Sequence, residues 1–135
     1  MIPKFRAWMK SLKWMCDVTN ISFDSKFVDI CQQGDTERYT EMSVEFDEIE
    51  LMQSTGLKDK NGKEVFEGDI LEIEDEGEVL GNAKLTWDNE QAVFMIEAIS
   101  VDDIAPFHEI VSDESYSYRV VGNVYENPEL LEESK

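Results

Sequence analysis

The sequence predicts an all-β fold, a small barrel or sandwich with little helix, on three observations. Short β-branched and aromatic runs recur along the chain, turn residues separate them at short intervals, and no internal repeat or low-complexity tract interrupts the series. At 135 residues the chain fits a single domain, 1–135, long enough to bury a core. Its 41% hydrophobic residues supply that core and its 32% charged residues a soluble surface, so overall disorder is a poor reading.

The first element has two readings. Phe5, Trp8, Met9, Leu12, Met15 and Cys16 fall at helical spacing with lysines and Arg6 between them, the pattern of a basic amphipathic helix for a membrane surface or a partner groove. Equally, Lys4-Phe5-Arg6-Ala7-Trp8 alternates like a strand, residues 9–13 connect, and Trp14-Met15-Cys16-Asp17-Val18 returns as a hairpin. Ile21 to Ile30 then predicts two short strands around Asp24-Ser25-Lys26. Residues 32–43 are polar and hold Gly34, a surface loop, and Val44 to Met52 is a strand or bridge.

The clearest turn is Asn61-Gly62, a pair suited to positive φ between apolar runs. Gly68 and Asp69 open Ile70-Leu71-Glu72-Ile73-Glu74, which alternates apolar and acidic. Ala83 to Trp87 and Ala92 to Glu97 are the next strands, joined through Asp88-Asn89-Glu90-Gln91. Tyr118 to Tyr125 is the last, with Gly122 marking a bulge or close approach. Asn127-Pro128-Glu129 then has the cap, first-position proline and early acid of a short terminal helix.

Charge is uneven. The formal net charge is −19, yet residues 1–16 carry Lys4, Arg6, Lys10 and Lys13 without an acid, while 64–135 carry 20 acids against Lys84, Arg119 and Lys135. So negative a surface repels phosphate backbones, and direct nucleic-acid binding is disfavoured outside the N-terminal segment. No apolar run nears the ~18–20 residues of a membrane span, and charges occupy the place of a signal peptide's apolar stretch, so a cytoplasmic, membrane-free protein is expected. Cys16 and Cys31 are then a reduced, packing pair, and the sequon at Asn20 is without consequence.

Three blocks carry a family resemblance: residues 4–8, the long run Leu51-Met52-Gln53-Ser54-Thr55-Gly56-Leu57-Lys58-Asp59-Lys60-Asn61-Gly62-Lys63-Glu64-Val65-Phe66-Glu67-Gly68-Asp69-Ile70, and Val121-Gly122-Asn123-Val124-Tyr125-Glu126-Asn127-Pro128. Together they resemble the YopX family of phage and prophage proteins. The match departs at Met9, where an acid is frequent, and residues 32–45 match no family feature. The resemblance implies an N-terminal β-hairpin region (1–50), a small antiparallel barrel of the Src-homology type (51–126) and a short C-terminal helix or tail (127–135). It favours the hairpin over the amphipathic helix and implies a phage origin, but supplies no activity, cofactor or catalytic residue.

Searched for chemistry, the residues offer little. His108, beside Glu109, is the only histidine and is expected at a loop or strand edge without a nucleophile to serve. One histidine and two distant cysteines lack zinc spacing. Asp59-Lys60-Asn61-Gly62 opens like a calcium loop, yet its twelfth position is Ile70 where an acid is needed. The glycines near Lys58 and Lys63 lack phosphate-loop spacing, and adjacent acids such as Asp102-Asp103 define no acid-base geometry. No catalytic, metal or cofactor residue is assigned.

What remains are surface candidates for a partner. Lys58, Lys60 and Lys63 form a basic spot, most simply solvated turn residues. Glu72, Glu74, Glu76 and Glu78 alternate, which on an extended strand sets carboxylates about 6.6–6.8 Å apart. That is the scale of neighbouring phosphates, although charged solvent faces are common and Gly77 would break the row. The leading expectation is a non-enzymatic module that binds protein partners or self-associates, with Trp8, Trp14 and Trp87 either core or contact residues. The alternative is an acidic DNA mimic that blocks a host nucleic-acid-binding protein.

Overall fold

The computed structural model describes residues 4–99 and 103–132. The chain divides into two compact units, Met1–Ser54 and Thr55–Lys135. The class is all-β, as the alternating runs predict: every strand pairing is antiparallel, and among the described residues helix is confined to one short α-helix and two 3-10 turns.

The first unit contains β1 (Phe5–Met9), β2 (Trp14–Ser22), β3 (Phe27–Gln32), β4 (Met42–Glu45) and the first part of β5 (Ile49–Lys58), in the order β4-β3-β2-β1-β5. The hairpin reading of the N-terminus holds. Ala7 lies opposite Cys16 and Met9 opposite Trp14, and the turn closes with Lys13 at φ 56°, its N–H donating to the Met9 carbonyl at 2.8 Å. A helix would bury Leu12 beside Trp8; the hairpin instead leaves Leu12 45% exposed and buries Ala7 and Met9 with Cys16, Val28, Ile30, Val44 and Ile49.

Residues 44–52 do not form one strand. The Glu45 N–H donates to Glu48 Oε2 at 2.7 Å, and this charge-assisted bond folds Phe46–Glu48 into a 3-10 turn before β5 begins. The polar segment between β3 and β4 is a loop pinned by Asp35, whose Oδ2 accepts the Thr40 N–H and hydroxyl, both at 2.7 Å. Those bonds, the hydroxyl's foremost, hold the Asp35 carboxyl below its ordinary range.

The second unit holds the end of β5, β6 (Glu64–Phe66), β7 (Asp69–Asp75), β8 (Glu78–Asp88), β9 (Val93–Ala98), β10 (Ile104–Pro106), α1 (Phe107–Val111) and β11 (Tyr116–Asn123). Five of its strands form a sheet in the order β10-β9-β8-β7-β11. Among the described residues no pairing joins β10 to β11, so the small antiparallel barrel expected for 51–126 is not closed between these strands, while the all-β class is as expected. Its core is Val65, Leu71, Ile73, Ala83, Leu85, Ile96 and Phe107. Leu71 and Ile73 face inward and Glu72 and Glu74 outward, the alternation that the sequence displays.

The short C-terminal helix expected after Asn127 is present as the 3-10 helix Pro128–Leu131, with Pro128 in its first turn. Asn127 holds the N-cap position without a side-chain cap bond, its Oδ1 accepting the Asn123 N–H at 3.1 Å instead. Residues 133–135 of the expected tail, like Asp102 of the acidic pair, lie outside the described residues. One reading changes: α1 places His108 on an exposed helical turn instead of a loop or strand edge.

Candidate functional site

The long signature block folds into a polar clasp built on Asp59. Lys58 ends β5 and Glu64 begins β6; between them the Asp59 N–H donates to Lys63 O at 2.8 Å, and Gly62, at φ 84°, supplies the positive angle. Asp59 is buried, 7% exposed, and its Oδ1 accepts the Asn61 and Lys63 N–H groups at 2.9 and 2.8 Å. Oδ2 accepts the Val120 N–H at 2.8 Å, tying the turn to β11. Burial alone would raise this carboxyl's pKa; the donors from Val120, Lys63 and Asn61 outweigh it, and the pKa lies below the usual value. The Lys60 N–H donates to Tyr118 O at 3.1 Å, and the Tyr118 hydroxyl to Lys58 O at 3.1 Å.

The closing block is a second clasp. Asn123 is 7% exposed; its Oδ1 accepts the N–H groups of Tyr125 and Glu126 at 3.0 and 2.8 Å, and its Nδ2 donates to Glu126 Oε1 at 2.8 Å. Opposite β7, Val120 faces Leu71 and Gly122 faces Ile70, so Val121 is a bulge residue. A Cβ at Gly122 would collide with the Asn127 side chain, the close approach that the glycine signals. Asp69, 1% exposed, accepts the Phe66 N–H at 2.8 Å. Asp59, Asp69, Asn123 and Asn127 of the family blocks are thus spent on holding turns.

The sequence-predicted contact residues are brought together in part. Lys60 forms an ion pair with Glu74, and Arg119 Nε donates to Glu72 Oε1 at 2.8 Å. The basic spot and the acidic row are therefore partners of each other at Lys60 and Glu74. Lys58 and Lys63 are exposed. Glu76, at φ 51°, and Gly77 form the β7–β8 turn, and Glu78 starts the returning strand opposite Asp75. The four glutamates thus follow a hairpin, two of them already paired with cations, and do not line one extended edge. Trp87 packs edge-to-face on Phe94 at 5.0 Å, half-buried.

His108 is exposed, and its carbonyl accepts the Ser112 N–H at 2.9 Å at the end of α1. Among the described residues no group of three His, Cys, Asp or Glu side chains is placed to hold a metal. Cys16 and Cys31 are free and buried; burial, then Cys31 and Asp17, pushes the Cys16 thiol up to about 11, away from nucleophilic use.

One concavity stands out, and sequence reasoning missed it. It measures about 440 Å³ in the second unit, between the sheet and α1, floored by Ile73, Ala83, Ile96, Ala105 and Ile110. Its size is that of ligand and side-chain pockets. Ile73 lies opposite Gly81 and Glu74 opposite Val79, which leaves Leu80 as an extra residue on β8. Gly81, at φ 140°, permits this bulge, and Leu80 lines the concavity while staying 58% exposed. Asn82, Asp103, Glu109 and Tyr116 add polar groups to its walls. The one sequence signal for it was Leu80-Gly81 inside a strand, since the other walls come from β7, β9, β10, α1 and β11.

A sequence-family model described as YopX protein matches residues 4–132. Among solved structures, the crystal structure of protein EF1440 from Enterococcus faecalis is similar at 33% identity with a TM-score of 0.61, the match covering 98% of this chain and 99% of that one. The X-ray structure of protein yopX from Bacillus subtilis is similar at 20% identity and a TM-score of 0.58, covering 96% and 98% of the two chains, a likeness of fold. No curated protein matches the chain.

Proposed function

The chain belongs to the YopX family, and we propose that it is a non-enzymatic binding module of phage or prophage origin, working in the host cytoplasm through protein contacts or self-association. The observation that carries this reading is the half-open apolar concavity with Leu80 held out on a bulge. An exposed bulky side chain beside an unfilled apolar floor is a common mark of a contact surface. Asp59, Asp69 and Asn123 of the family blocks, by contrast, are engaged within the chain. Pairing of Glu72 with Arg119 and of Glu74 with Lys60 lends no support to a DNA mimic on this strand.

The test compares the wild type with Leu80→Glu, a change at an exposed position. Affinity capture from host lysate, with light scattering across salt for self-association, should show a binding event that the wild type makes and the variant loses. Identical capture by both proteins, with a monomer at every salt concentration, would overturn the reading. Release of the captured protein by duplex DNA would favour mimicry instead.

A further inference from the structure

We infer that the concavity takes a bulky apolar side chain from a partner segment whose flanking residues are lysine or arginine; this rests on the binding-module reading above. The floor is apolar, but Asp103 and Glu109 stand on its wall, both exposed and with no ion-pair partner among the described residues. Three cations of this unit are already paired with other carboxylates: Lys84 with Glu97 at 3.6 Å, Arg119 with Glu72 and Lys60 with Glu74. A cation brought by an occupant would meet two carboxylates that no described side chain pairs. The apolar volume selects the anchor, and the two carboxylates select what lies beside it.

Charge also argues against this face meeting its own counterpart on a second copy. The chain carries −19 overall, and residues 64–135, which include every residue of the concavity, hold 20 acids against three cations. Two such surfaces repel, whereas a basic segment is drawn in. Tyr116 and Asn82 on the walls leave polar groups for the segment's backbone.

The experiment titrates the isotope-labelled full chain with a short synthetic peptide, a central Phe between paired lysines, and with versions carrying Phe→Ser or Lys→Glu. At about 0.15 M salt, where screening acts beyond about 8 Å, the Lys-Phe peptide should shift the amide signals of Gly81, Asn82, Ala83, Ala98 and Ile110. Its affinity should fall about tenfold in the D103N/E109Q protein, and about tenfold or more with Phe→Ser. Signals elsewhere should overlay on the wild type, which shows that the variant is folded. Shifts scattered over the acidic surface, or binding indifferent to D103N/E109Q, would overturn the inference. If the Lys→Glu peptide binds the concavity as well and L80E abolishes it, the module reading stands and the basic-flank rule falls. If no peptide reaches the concavity and no captured protein depends on Leu80, both fall. Self-association lost in L80E would assign the concavity to a second copy and overturn the basic-partner inference.

Discussion

In the first unit, β1 to β4 are joined as successive hairpins, β1 to β2, β2 to β3 and β3 to β4, and side-chain hydrogen bonds between them lie near the surface, as where Asp29 accepts from Ser43 and Asn20. In the second, the buried Asp59 carboxylate reaches the Val120 N–H across 61 positions, and the Tyr118 hydroxyl reaches Lys58 O across 60. The first unit is specified chiefly by alternation and hairpin turns. The second adds polar residues that have no substitute once water is excluded, because an orphaned buried donor costs far more than an exposed one.

Core truncation should not discriminate between the units. Ile30→Ala in the first and Leu71→Ala in the second, both at or near zero exposure, should each cost about 2–5 kcal/mol in denaturant unfolding. Polar truncation should. Asp59→Ala orphans three N–H donors and should cost roughly 2–4 kcal/mol, whereas Asp29→Ala should cost under about 1 kcal/mol; equal losses would erase the distinction.

Acid sharpens the same contrast. The Asp59 carboxyl titrates below its ordinary 3.8 in the folded chain, so its stabilisation is present above that value and is lost as pH falls through the lower folded pKa. Melting followed from pH 6 to 2 should therefore show a decline below about pH 4 that is shallower in Asp59→Asn. An unchanged slope in that variant would remove Asp59 as the cause. Asp35 shifts in the same direction but lies in an exposed loop, and its share should be smaller.

Smaller still, Lys60→Ala should cost about 0.2–1 kcal/mol, since its ion pair with Glu74 is partly solvated. Thiol labelling gives a separate view of the first unit, which holds both cysteines. At about pH 8, Cys16 and Cys31 should resist modification until the unit opens, and labelling as fast as in free cysteine would contradict their burial.

Much of this was legible in the sequence, and what was not has a physical reason. The N-terminal hairpin, the Asn61-Gly62 turn and the inward Leu71 and Ile73 follow from alternation and turn chemistry, which are local. The work of Asp59 is not local, because its third donor sits on β11. The five-residue α1 escaped because one buried residue, Phe107, anchors it, too few for a helical period to show. The C-terminal signal marks a helix that is there, in 3-10 form, although Asn127 spends its side chain on Asn123 rather than on the cap bond. The concavity depends on a one-residue bulge, a register event that alternation alone does not report.

The bonds from Lys60 to the Tyr118 carbonyl and from the Val120 N–H to Asp59 fall on the side of β11 away from β7. They occupy groups that an incoming strand would need for pairing. At the opposite border β10 is three residues long and ends in Pro106, which has no N–H to give. The sheet thus has one hemmed margin and one too short to template a neighbour, a safeguard against fibrous stacking. Among the described residues both margins leave few backbone groups for strand addition, so contact with this sheet falls to its side chains.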